Sequence, residues 1–286
     1  MRDSGAMRIA VVGHVEWILF AVVPHVPVAG EIVHATEAFE EPGGGGAVSA
    51  VQLAKLAGEA TLYTALGDDE LGHRCERRLR DLGLRVKVVY RPVPQRHGFV
   101  HLDSNAERTI TVIGSRLGPH GDDPLPWHEL ADTDAVYFTA GDAAAARAAR
   151  AARVLVGTAR GLATLAEAEV ELDALVSSSR DAGERYERGD LERAPRLVVR
   201  TAGSAGGAFE TADGRRGSWE ATPPPGPPRD AYGCGDSFAA GLTYGLGAGK
   251  TPEDALHLAA RCGAACLTGR GPYEGQLRAS AEAPRG

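Results

Sequence analysis

Apolar and polar positions follow two rhythms along this chain, one of strands buried on both faces and one of helices with a single apolar stripe. Ile9 to Val12 is an unbroken apolar run that stops at Gly13, the pattern of a strand in the middle of a parallel sheet. The carboxyl end of such a strand faces a ligand crevice. The wider apolar stretch from Ile9 to Pro24 has 16 residues and contains His14 and Glu16, whereas a bilayer span takes roughly 20 apolar residues. It is predicted to be a buried strand and its continuation. Short buried strands recur at Thr61–Leu66, Ala135–Thr139, Val154–Gly157, Leu175–Ser177 and Leu197–Thr201. Between the first two, Gly43 to Gly46 opens a helix with Val51, Ala54 and Ala57 on one stripe and Gly58 as its stop. A second helix follows the turn Gly67-Asp68-Asp69, with Leu71, Cys75, Leu79 and Leu82 aligned and Gly83 ending it. Strands alternating with helices predict a three-layer α/β fold whose mainly parallel central sheet is covered by helices.

A two-residue alternation appears at Gly30 to Phe39 and again at His97 to Ile113, where Ser104-Asn105 makes a turn between Gly98–Leu102 and Arg108–Ile113. These segments, near 28–38 and 97–113, are expected to form a small β-sheet lid over one domain spanning 7–280, with 1–6 as an N-terminal tail. The arginines of Ala143 to Arg153 spread round their helix, which reads as a solvated face. Pro223 to Pro228 is a stiff connector that delivers the chain into Asp230. No internal repeat is evident.

The 286 residues suit one α/β domain with an appended subdomain. A formal net charge of −7 and a pI near 5.7 make the surface repel a phosphate backbone, which argues against nucleic acid as a partner. Cys75, Cys234, Cys262 and Cys266 follow no disulfide framework, and no secretory signal pattern precedes the fold, so the expectation is a cytoplasmic protein without membrane attachment.

The densest chemistry lies in Asp230-Ala-Tyr-Gly-Cys-Gly-Asp-Ser-Phe238, followed by Leu242 and Leu246 at helical spacing. Gly233 and Gly235 let successive N–H groups, including that of Cys234, converge at a helix start. With the helix dipole behind them they form an anion site suited to a phosphoryl group in transfer. Asp236 stands at the mouth of that site, placed to take a hydroxyl proton as general base. Taken alone, Gly-x-Gly-Asp equally describes a plain turn with Asp236 as helix cap.

Asp230-x-x-Gly-x-Gly-Asp-x-Phe238 resembles the second signature of the ribokinase-like (PfkB) carbohydrate kinase family. Gly43-Gly-Gly-Gly-Ala-Val-Ser-Ala50 through Gly67-Asp-Asp-Glu-Leu-Gly72 is similar to its first signature, about 190 residues upstream and in the expected order. Pro27 to Glu31 and Thr201-Ala-Gly-Ser-Ala-Gly206 extend the likeness over nearly the whole chain. The resemblance implies ATP and Mg²⁺ as cofactors and an alcohol-group phosphotransferase activity. It makes Asp236 the base, Gly233, Cys234 and Gly235 the donors to the phosphate, and Thr201, Gly203, Ser204 and Gly206 nucleotide contacts. Asp230 corresponds to the loop that holds a monovalent cation in many members, which leaves a potassium requirement open.

The sequence also departs from the family pattern. The Asn-x-x-Glu motif near metal and phosphates is matched by Ser178-Ser-Arg-Asp181, where Asp181 retains a carboxylate able to act on Mg²⁺ through water and Ser178 replaces an amide. On the acceptor side, the family's Asn and Asp after the first strand fall on Glu16 and Ile18. In the glycine-rich turn, beside Gly44, its Lys and Asn fall on Gly45 and Val48. An unpaired buried polar group on a ligand costs about 1–3 kcal/mol, so the expected acceptor is a sugar-like molecule other than ribose, less hydroxylated or partly apolar.

Other signals carry less. Cys262 and Cys266 share a face of the helix begun by Thr251-Pro252 and lack further ligands for a metal. His97 and His101 share a strand face without a third ligand. The Gly43–Gly46 run is not a dinucleotide fingerprint, which sets a nicotinamide-dependent oxidoreductase well behind. The main rival to a kinase is a non-catalytic nucleotide- or sugar-binding module on the same fold. Edge strands in the lid suggest a homodimer.

Overall fold

In the computed structural model, which describes residues 7–279, thirteen strands form two sheets among the described residues. Chain order gives β1 (Ile9–Val12), β2 (Glu16–Val22), β3 (Glu37–Gly43), α1 (Gly44–Ala57), β4 (Ala60–Gly67), α2 (Glu70–Asp81), β5 (Leu84–Arg91), β6 (His97–Leu102) and β7 (Arg108–Ile113). Then come β8 (Ala135–Phe138), α3 (Ala143–Ala149), β9 (Val154–Thr158), α4 (Leu162–Ala168), β10 (Ala174–Ser178), β11 (Leu197–Thr201), β12 (Gly207–Thr211), β13 (Arg216–Trp219), α5 (Cys234–Gly247) and α6 (Pro252–Cys266). The sequence's tail, 1–6, lies outside the described residues, as does residue 280.

The large sheet has the order β13-β12-β11-β10-β9-β8-β1-β4-β5. It is parallel from β11 to β5, with β12 and β13 added antiparallel at one edge. Along β1, Ile9 and Val11 join a core shared with α1, α2, α5 and α6, while Ala10 and Val12 join one shared with α3 and α4. That is the three-layer arrangement expected from the alternating pattern. α5 and α6 approach closely because Gly241 and Gly245 lack side chains, a methyl group at either standing within 2.8 Å of Ala259 or Ala255. No helix among the described residues is long and apolar enough to cross a membrane.

The lid has the order β3-β2-β6-β7, with β2 and β6 parallel and the outer pairs antiparallel. Two boundaries differ from the sequence reading. The stretch from Ile9 does not continue as one strand: it breaks at Gly13–Val15, and β2 enters the lid. The segment near 28–38 is mostly irregular, and the lid strand is Glu37–Gly43. Val28 and Ile32 are exposed there, so their alternation faces no core, and Glu31 instead ties the loop to the Val28 N–H and to His25.

The chain leaves β1 to build β4 and β5 on one side, then returns to lay β8 to β11 on the other. Strand order reverses between β1 and β8, and ligands of open α/β sheets bind outside the carboxyl ends at such a point.

Candidate active site

His14 follows β1 and Thr139 follows β8, so the two flank the reversal. α1 and α5 bring their first turns to the same place. A methyl group built on Gly45 would lie 3.1 Å from Asp236 Oδ1, 3.5 Å from Thr139 Cβ and 3.6 Å from His14 Cε1. These residues therefore surround one small space at the sheet's carboxyl edge.

Gly233 takes φ 83°, the left-handed conformation that turns the chain into α5. Asp230, almost fully buried, fixes the loop before it: Oδ1 accepts the Tyr232 N–H at 2.8 Å and Oδ2 the Gly271 N–H at 3.0 Å. Burial raises the Asp230 pKa although those N–H bonds pull it down. The first-turn N–H groups of α5 have no carbonyl four residues back. A methyl group on Gly235 would meet nothing within 4 Å, so the approach to that turn is open and its donors fit a phosphate. Contact with Cys266 and burial push the Cys234 thiol well up, which makes it a neutral thiol.

Asp236, half-buried in this turn, has its carboxyl pushed up to about 7 by burial and by the charge of Glu184, against the pull of Arg108 and Arg160. A base near neutrality is the tuning that proton abstraction favours.

Toward the lid, Glu16 is buried and accepts Arg96 Nε at 2.7 Å, with His14 Nε2 3.4 Å away. Burial would raise the Glu16 pKa, but His14 and Arg96 outweigh it, and Glu16 stays ionised. Burial lowers the His14 pKa more than Glu16 raises it. Ile18 and Val48, expected at the acceptor, have no accessible surface. Ile18 packs behind Gly43, and Val48 behind Gly233.

On the other side of the cleft, Thr201 ends β11 and donates to the Ser177 carbonyl at 3.2 Å. Gly203–Ala205 form a single 3₁₀ turn that leaves Ser204 exposed, and Gly203 and Gly206 have positive φ. Ser178 Oγ accepts the Arg180 N–H. Asp181 is not free: Arg160 Nη2 lies 2.5 Å from its Oδ2 and 2.7 Å from Glu184 Oε1.

The family model described as pfkB family carbohydrate kinase matches residues 6–155 and 142–278. The chain belongs to the pfkB family of carbohydrate kinases. It is 32% identical over 109 residues to a ribokinase of Dictyostelium discoideum, a match covering 37% of this chain and 34% of that protein. It is 27% identical over 278 residues to an ATP-dependent ribose-1-phosphate kinase of Halopiger xanaduensis, covering 90% and 91% of the two chains. Solved structures with the same fold include ribokinase from Thermotoga maritima (TM-score 0.74, 19% identity, 95% and 96% coverage). Another is Arabidopsis thaliana ribokinase complexed with ribose and ATP (TM-score 0.72, 20% identity, 96% of each chain).

Within this pfkB chain, several residues that the sequence reading passed over reach the cleft. Tyr232 Oη accepts the Gly44 N–H at 3.0 Å, joining the two glycine motifs, and its ring packs edge-on against Phe20. Arg160 and Glu184 stand beside Asp181. Partial burial, followed by the charges of Arg96 and Arg160, lowers the pKa of Arg116. None follows from local spacing, because each comes from a different loop.

Proposed function

We propose that this chain transfers the γ-phosphoryl group of ATP to a hydroxyl of a sugar-like acceptor other than free ribose. The observation that carries the reading is Asp236, with a pKa near 7, in the open first turn of α5. The acceptor hydroxyl lies against Asp236, which takes its proton as the oxygen attacks. N–H groups of Gly233 to Gly235 receive the phosphoryl charge, and the Thr201–Gly206 turn seats the nucleotide.

Asp181 and Glu184 are the carboxylates that would hold a magnesium ion bound with ATP, through water, and the ion would supply neutralisation of the phosphates. Their shared arginine leaves one net negative charge for that purpose. Each oxygen of Asp230 already accepts an N–H, so a monovalent cation at this loop would have only its remaining lone pairs to use there.

The acceptor end offers Glu16, His14, Arg96 and Arg116 rather than the apolar surface that Ile18 suggested. Of these, the guanidinium of Arg116, beside an Arg96 already paired with Glu16, supports a sugar carrying an anionic group, and the likeness to a ribose-1-phosphate kinase over most of the chain supports the same choice. Leu19, Ile110, Val112 and Ile113 expose apolar surface on the lid, which supports pairing of two lids in a homodimer.

The test is Mg·ATP-dependent ADP release with ribose, ribose 1-phosphate, other sugar phosphates, deoxysugars and nucleosides, for the wild type and Asp236→Asn. Release stimulated by an anionic sugar in the wild type alone is the expected result. Efficient turnover of free ribose would overturn the acceptor assignment. Equal ligand affinity in both proteins without ADP release would replace the kinase with a binding module.

A further inference from the structure

A second hollow lies outside the site described above, between the last turns of α1 and α2 and the chain from Arg270 to Arg278. It measures about 670 Å³, a size that suits a small organic ligand. Ala54, Leu82 and Tyr273 give it an apolar wall, and four cations stand around that wall.

Two of the cations are already matched. Arg78 donates Nε and Nη2 to the Glu41 carboxylate at 2.8 and 2.6 Å. Arg270 pairs with Glu37 and stacks over Phe39, 3.7 Å from the ring centre. The remaining carboxylates of the hollow are engaged beside them. Glu274 accepts the Arg270 N–H at 2.6 Å, and Asp81 adds to the pull of Glu41 that raises the Arg78 pKa.

Lys55 and Arg278 are left over. Lys55, half-buried in the last turn of α1, donates Nζ to the Tyr273 carbonyl, and among the described residues neither side chain pairs with a carboxylate. Burial and then the nearby charge of Arg278 lower the Lys55 pKa to about 8. At neutral pH Lys55 is therefore a cation held against both its burial and a like charge, a cost that an anion between the two would reverse.

We infer that this hollow is a second ligand site, apart from the proposed phosphotransfer site, and that it takes a small phosphate monoester whose phosphate lies between Lys55 and Arg278. Above its second pKa, at about 6, such a group carries two negative charges, one for each cation. The ammonium meets it as a point charge and the guanidinium as a fork for two oxygens, while the carbon part lies along the apolar wall. Occupancy steadies a segment with two attachments to the glycine motifs: Tyr273 donates Oη to the Pro42 carbonyl, and the Gly271 N–H reaches Asp230. Binding here requires no phosphoryl transfer, so the inference stands apart from the function proposed above.

The experiment is calorimetric titration of the full chain with glycerol 3-phosphate, with Mg·ADP present in excess to fill the proposed nucleotide site. The wild type, Lys55→Met, Arg278→Gln and Arg116→Met are compared. Affinity should fall about 10-fold or more in Lys55→Met and in Arg278→Gln, the loss of one charged hydrogen bond, and by less than about 2-fold in Arg116→Met. In the wild type the same ligand should slow amide hydrogen exchange over Arg270–Arg278. Arg278 is exposed, so its substitution decides the matter even if Lys55→Met does not fold. No binding to the wild type at about 10 mM overturns the inference, as does unchanged affinity in Arg278→Gln or exchange that does not slow. A loss confined to Arg116→Met overturns it as well, because the phosphate then sits at the proposed acceptor end.

Discussion

Gly45 and Asp236 sit so close that a single methyl group on the former would stand 3.1 Å from the latter's Oδ1. Few real side-chain contacts are that tight, and Thr139 and His14 close the other sides. Gly45→Ala should therefore displace the carboxylate and lower kcat at least about 10-fold through misplacement of the base. The fold should hold, because alanine is the better helix former in the first turn of α1, by about 1 kcal/mol. Steady-state kinetics beside a thermal melt check this, and an unchanged kcat would place the reacting hydroxyl elsewhere.

Asp236 sets the expected pH dependence. In the proposed role of base, with a pKa of about 7 in the ligand-free protein, it is competent only when ionised, so kcat/KM should climb with pH through that value and then level off. The same shift bears on stability with the opposite sense. The folded pKa lies above the ordinary 3.8, so the folded state prefers the protonated form. Stability is lost as pH rises between the two values and is lowest above 7. Asp236→Asn should thus melt higher than the wild type at pH 8, with the gain shrinking toward pH 4.

The buried set of His14, Glu16 and Arg96 makes a second prediction. Removing the guanidinium with Arg96→Met leaves Glu16 ionised in a buried place with only a weakly basic imidazole beside it. A cost of about 3 kcal/mol is expected, the low end for stripping one partner from a buried pair. Glu16 is depressed below its ordinary 4.5, so its contribution is present above that pH and disappears on acidification. The difference between variant and wild type, measured by urea unfolding, should narrow as pH falls below 4.5.

The lid's exposed strand β7 presents Ile110 and Val112 to solvent. If two lids pair there, Val112→Asp should give a monomer by light scattering while leaving the melt of the core within about 2 °C, since surface changes rarely exceed 0.5 kcal/mol. A wild type that is monomeric at all concentrations would remove the dimer.

Local signals were the readable ones. β1 and β8 to β11 are short apolar runs, and the two glycine motifs name their own conformations, so the three layers and the position of Asp236 were legible in the sequence. The lid was less so. β3 reads Glu-Ala-Phe-Glu-Glu-Pro-Gly, with little apolar content, because much of it is exposed, while the alternation around Val28 and Ile32 imitates a strand. Ile18 was assigned by counting along a motif, but its side of β2 faces the interior. Arg96, Arg108 and Arg160 belong to the cleft only through tertiary structure, and nothing in their own neighbourhoods marks them.

β3 passes into α1 without an intervening residue, and β1 reaches β2 through Gly13, His14 and Val15 alone. The connections between the large sheet and the lid therefore include His14 and adjoin Gly45, two of the residues grouped around Asp236, where the proposed acceptor would lie. Selection for a new acceptor cannot treat size and timing as separate traits: a bulkier side chain at Gly44 or Gly45 that trims the pocket also stiffens the connection. Variants recovered for altered substrate choice should carry altered opening rates, and second mutations that restore speed are expected along β6 and β7 rather than in the pocket.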